Sequence, residues 1–222
     1  MFTGRYPFRR WTLPLPNSSA LDRIGLVAFA FAGVEVGARR RLDLFGLLVM
    51  GVVAAAGGGL FRDLILQRVP LVVAEADYIA WPIGGSLAAI GFVVAKRRIP
   101  ASLRAIAEAG GTGAFAVAGA LAAIGAELPV TAVVMLGVIT ATGGGVIRDL
   151  LADRIPVVLR TEVNATAAAL GALTVWAVEP QSRELAALLG AGVTALVHVG
   201  GLAFDLHLPI PDPPGKPPRT GV

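Results

Sequence analysis

Two stretches of this chain carry one signature, three glycines followed two residues later by Arg-Asp: Gly57-Gly58-Gly59 leads to Arg62-Asp63, and Gly143-Gly144-Gly145 leads to Arg148-Asp149. Each glycine weakens a helix by roughly 1 kcal/mol relative to alanine, so helices crossing these triplets are expected to bend or break there. A break inside lipid frees backbone carbonyls and N–H groups that must face protein or a water-filled cavity. The carbonyls of residues 54–56 and 140–142, with the hydroxyls of Thr140 and Thr142, could then replace part of a cation's hydration shell. Close helix packing is the plainer use of glycine, and it suffices for Gly33/Gly37 and Gly84/Gly85. Three in a row exceed what packing needs.

The charges behind the triplets are the second chemical feature. Adjacent helical residues point about 100° apart and do not face each other, so Arg62, Asp63, Arg148 and Asp149 are expected to find partners on other helices, in a water path or among lipid headgroups. Ionised groups at membrane depth cost about 2.5–3.5 kcal/mol, which makes them functional suspects. Two placements stay open: at the ends of their helices in the interface, or as gating charges at the two mouths of a path. Glu35 is the one acid in the first apolar run, and it either lines such a path or reaches back to Arg39–Arg41 at the surface. His198 reads as a packing histidine, and His207 lies beyond the last apolar run.

No nucleophile, base and orienting group stand together, and no metal-ligand cluster is visible, so neither an enzyme nor a metal or cofactor site is expected. The absence of cysteine excludes disulfides, thiolate zinc sites and iron–sulfur clusters. A phosphate-cradling loop has no preceding strand and no Lys-Ser/Thr after its glycines.

The elements that must position these residues are membrane helices. Of the 222 residues 55% are hydrophobic and only 15% charged, and mean hydropathy is +0.74, against about 25% charge in ordinary soluble domains. Seven apolar runs cover residues 24–38, 44–61, 78–95, 109–126, 128–147, 163–178 and 185–204, each near the roughly 20 residues a spanning helix needs. A β-barrel would show short alternating segments instead. The net charge of +4 sits in short clusters between the runs, as topology signals do, and gives no support for nucleic acid. Placing the N-terminus outside puts 12 of the 19 basic residues in inner loops, Arg39–Arg41 and Lys96–Arg98 among them, so the expected orientation is N-outside and C-cytoplasmic in a cell membrane. These basic loops could also touch anionic lipid headgroups.

The two signatures lie 86 residues apart, and the same offset pairs Gly51 with Gly137, Gly33 with Gly119, Arg68 with Arg154 and Pro70 with Pro156. The expected organisation is an N-terminal tail over 1–19, three-helix repeats over 20–103 and 104–181, a seventh helix over 182–206, and a proline-rich, disordered tail over 207–222. A unit of three spans is odd, so the second copy enters the membrane from the opposite face. Inverted repeats of this kind build transporters and pores.

The glycine-triplet signatures in a seven-span chain resemble the prokaryotic trimeric intracellular cation (TRIC) channels, over residues from about 21 to 204. The resemblance implies a homotrimer, a potassium-conducting pore within each subunit, and second and fifth helices kinked at Gly57–Gly59 and Gly143–Gly145. No TVGYG filter is present, so only a modest preference among monovalent cations is expected, with sodium accompanying potassium. Similar bacterial sequences are described as glycine transporters, which leaves a carrier of a small amino acid as the alternative function and a structural membrane scaffold as a third.

Overall fold

The computed structural model describes residues 18–97, 101–160 and 163–204. The expected tails and His207 lie outside these residues, apart from the first helix starting within the 1–19 segment. Among the described residues the chain is all helical: α1 Ser18–Arg39, α2 Leu44–Ile65, α3 Leu71–Ala74, α4 Ala76–Val94, α5 Ala101–Gly125, α6 Val130–Leu151, the 3-10 turn η1 Val157–Leu159, α7 Val163–Val178 and α8 Arg183–Ala203. Side-chain caps set two of the starts. Asp43 accepts from the Gly46 N–H ahead of α2, and Ser182 accepts from the Leu185 N–H ahead of α8. The turns ending α2 and α6 place Gln67 and Asp153 at positive φ (52° and 50°), again 86 residues apart.

Helices α2, α6, α8 and residues 107–125 of α5 are long and apolar enough to cross a membrane, and two shorter apolar helices cover 78–94 and 163–178. α1 and α5 begin well before the uncharged runs from which their starts were expected, at Ser18 and Ala101 instead of 24 and 109. The extension takes Asp22 and Glu108 into the helices.

The first repeat packs α1, α2 and α4 together, the second packs α5, α6 and α7, and α8 lies against α5 and α7. The repeats meet along α2 and α6. Arg40, just before α2, donates through Nη2 to the carbonyl of Asp153, just after α6, at 2.9 Å. At the other end, Leu66 after α2 packs on a cluster holding Leu121 and Val133, from the end of α5 and the start of α6. The two helices are therefore antiparallel. Their contacts are also reciprocal, and Phe29 stacks on its own counterpart Phe115 at 5.2 Å. Reciprocal contacts between equivalent residues define a two-fold axis, here running across the helices.

The expected breaks at the glycine triplets are not found: α2 and α6 run as uninterrupted α-helices through Gly57–Gly59 and Gly143–Gly145. The reason lies in packing. The glycines let two backbones approach to near contact, and that tertiary packing outweighs the poor intrinsic helix preference of glycine.

Candidate ion pathway at the helix crossing

Gly57 and Gly144 meet where α2 crosses α6, and an added Cβ on Gly57 would lie 3.1 Å from the Gly144 Cα and 2.8 Å from Ile147 Cδ1. The reciprocal Cβ on Gly143 would lie 3.3 Å from the Gly58 Cα and 2.9 Å from Phe61 Cδ2. A side chain on Gly58 would run into the carbonyl oxygen of Thr140, and one on Gly144 into that of Ala54. The third glycines differ: the neighbours of Gly59 and Gly145 are the Arg62 and Arg148 guanidinium ends, at 3.8 and 3.7 Å. Two glycines of each triplet thus form the crossing, and the third clears space beside a cation.

The two threonines separate. Thr140 is fully buried and its hydroxyl donates to the Leu136 carbonyl at 2.6 Å. Thr142 donates to the Val138 carbonyl at 2.8 Å and lines an open cleft. Both protons are committed to their own helix, so each hydroxyl offers lone pairs only.

Each Arg-Asp pair forms a buried network, and the expectation that neighbours in sequence do not pair is overturned. Arg62 Nε donates to Asp63 Oδ1 at 2.8 Å. The long arginine side chain curls across the angular gap, because the buried carboxylate has no water to turn to and must gather donors from the protein. Arg68 donates to the same oxygen through Nε at 2.8 Å, and the Leu71 N–H donates to Oδ2 at 2.9 Å. Asp149 repeats the pattern with Arg148 (2.9 Å), Arg154 (3.0 Å) and the Val157 N–H (2.8 Å). Because α2 and α6 are antiparallel, the two networks stand at opposite ends of the crossing. Glu35 is not among them; it pairs with Arg39 at 2.7 Å one turn along α1.

The structure adds residues that the sequence reading passed over. Asp22 is buried and accepts from the Tyr78 hydroxyl at 3.2 Å. Its counterpart 86 residues on is Glu108, and Tyr78 is matched by Asn164. Glu108, Thr112, Thr142, Arg148, Asp149 and Asn164 line a small cleft, in which Glu108 Oε1 stands 3.9 Å from Arg148 Nη1. The repeat register was the signal that could have found Asp22 and Glu108, since both copies hold an acid at one position. His198 is buried in α8, its Nδ1 without a partner. Among the described residues no group of three acids or histidines could hold a metal ion.

A family model described as "Glycine transporter" matches residues 19–94 and again 105–180, two stretches whose starts differ by the same 86 residues. This chain belongs to the glycine transporter family. Members similar to it include the UPF0126 inner membrane protein YadS of Escherichia coli K12, 37% identical over 85% of this chain and 93% of that protein. A UPF0126 membrane protein of Deinococcus radiodurans is 40% identical over 79% of this chain and 83% of its own length. Solved structures similar to this chain include TRIC channels. One, described for conductance through such channels, superposes with a TM-score of 0.82 at 31% identity, covering 89% of this chain and 98% of that one. The Rhodobacter sphaeroides orthologue gives 0.78 at 35% identity over 85% and 98%. This family member is accordingly a multi-pass membrane protein with the TRIC channel fold.

Proposed function

We propose that this protein is a cation channel whose path follows the crossing of α2 and α6, conducting potassium and, with little discrimination, sodium. The carrying observation is the reciprocal crossing of two antiparallel helices, with a charged network closing off each end, in a fold shared with TRIC cation channels. A two-fold axis across the helices gives a path the same construction from either side of the membrane. The Thr142 hydroxyl supplies an oxygen atom along it, and Arg62–Asp63 and Arg148–Asp149 act as gating charges at its mouths. An arginine held by an aspartate is neutralised toward a passing cation, which answers the electrostatic objection to a guanidinium beside a cation path. The chain spans an inner membrane seven times with its N-terminus outside, and assembles as a homotrimer with one path per subunit. Anionic lipid meets the basic inner loops. Transport, not catalysis, is the activity assigned.

A carrier for a small zwitterion is the second reading, favoured by the cleft at Glu108 and Arg148, where an acid and a guanidinium stand side by side. Recording from the purified protein in a planar bilayer under asymmetric KCl separates the two. Unitary currents reversing toward the potassium potential support the channel. Electrical silence with saturable glycine uptake into liposomes overturns it in favour of the carrier.

A further inference from the structure

Each network at the crossing gathers two guanidinium groups on one carboxylate, Arg62 and Arg68 on Asp63 and Arg148 and Arg154 on Asp149. The carboxylate neutralises one of its two arginines, so each network by itself carries one positive charge and repels a cation. A further acid stands beside each. Glu108 Oε1 lies 3.9 Å from Arg148 Nη1, with the Glu108 side chain 31% exposed in the cleft it shares with Thr142 and Asp149. At the other end Asp22 is, after Asp63, the carboxylate that acts most strongly on the Arg62 guanidinium. Asp22 Oδ1 and Arg62 Nη2 are buried without hydrogen-bond partners, so Asp22 acts on Arg62 as a charge through space. One helix pairing places both acids. Gly33 of α1 packs on Gly51 and Ala54 of α2, and Gly119 of α5 on Gly137 and Thr140 of α6, which brings residue 22 level with Arg62 and residue 108 level with Arg148.

We propose that Asp22 and Glu108 are the selectivity residues of the path: each supplies the negative charge that brings its mouth from net positive to neutral, and so admits cations over anions. The repeat supports a role for charge and not for shape. Positions 22 and 108 hold two acids of different length, while the residues around them change from Leu26 to Thr112 and from Tyr78 to Asn164. A packing role asks for one side chain in one setting; a charge is supplied by either acid. Burial works against charge on Asp22 and the Arg62 guanidinium works for it, whereas Glu108 is part-exposed, so the two ends call for separate tests.

The assignment rests on the proposed channel, and one measurement separates the two. Purified full-length protein in a planar bilayer under a KCl gradient gives the potassium-to-chloride permeability ratio from its reversal potential, whatever the amount of protein inserted or the fraction of time it is open. Glu108→Gln and Asp22→Asn should each lower that ratio by about threefold, and the double variant by about tenfold, as the local potential turns positive. Glu108→Asp, which keeps the charge, should keep the parent ratio. Adding Arg154→Gln to Glu108→Gln removes one positive charge from the same network and should restore the ratio; lost packing gives no such recovery. A parent ratio in Glu108→Gln overturns the assignment at the α6 end, and a parent ratio in Asp22→Asn overturns it at the α2 end. A ratio that Arg154→Gln fails to restore overturns the charge balance itself. If Asp22→Asn does not fold, the part-exposed Glu108 decides. Electrical silence in the parent protein overturns the channel and the assignment together, whereas unitary currents with an unaltered ratio overturn the assignment alone.

Discussion

Gly58 of α2 faces the main-chain carbonyl of Thr140 in α6 so closely that no side chain fits between them, and Gly144 stands in the same relation to Ala54. The reciprocity makes the helix crossing a backbone-to-backbone contact at a two-fold axis.

Substitutions within one triplet should therefore differ sharply. Gly58→Ala or Gly144→Ala must push α2 from α6 and is expected to cost about 1–3 kcal/mol by overpacking. Gly59→Ala and Gly145→Ala meet only the mobile end of an arginine and should be neutral or stabilising by up to about 1 kcal/mol through helix preference. Thermal unfolding of the purified variants checks this. A uniform response across the triplets would contradict the assignment of the crossing to two glycines of each.

Asp63→Asn and Asp149→Asn each remove the negative charge and one of the two acceptor oxygens that hold two guanidinium groups and a backbone N–H. Breaking one partner of a buried pair costs about 3–5 kcal/mol, so both variants should lose much of their heat stability. Arg68→Ala should be the harsher of the two loop substitutions, since Arg68 is 17% exposed and Arg154 32% and solvent screens the second pair more. Equal loss in Arg68→Ala and Arg154→Ala, measured by unfolding, would count against that ranking.

Glu35→Gln should leave unitary currents unchanged and alter stability by only about 0.3–0.5 kcal/mol, the worth of an exposed pair one helical turn apart. Its partner Arg39 has a side chain 66% exposed, away from both networks. A changed conductance would return Glu35 to the path.

Thr142→Val and Thr140→Val should part company. Thr142 lines the cleft, so losing its hydroxyl is expected to lower unitary conductance with little effect on folding. Thr140 is sealed against Gly119, and its substitution should act on stability, by about 1 kcal/mol for the lost hydrogen bond, and leave conductance alone. Bilayer recording and thermal unfolding on both variants give the two readouts.

Much of this protein was legible before any coordinates. Hydropathy located the long helices because apolar side chains must cover a span wherever lipid is the solvent, and the 86-residue register exposed two copies of one unit. The importance of the glycine triplets was readable too, but their use was not. Local propensity predicts a break at Gly57–Gly59; a second helix pressed against the same residues produces an unbroken one, and no local rule contains that helix. The pairing of Arg62 with Asp63 escaped for a related reason, since angular spacing on an isolated helix ignores what burial does to a carboxylate. Asp22 and Glu108 were passed over because they sit just outside the uncharged runs, although the register already aligned them.

By itself, then, the sequence determined the solvent, the helices, the repeat and the residues capable of chemistry, since these follow from composition and periodicity along one chain. Only the tertiary structure decided that the two triplets meet each other, that Asp63 and Asp149 close networks at opposite ends, and that the Tyr78 hydroxyl reaches the buried Asp22. Those outcomes depend on distances between residues far apart in the chain, where close packing, and not local preference, sets the lowest free energy.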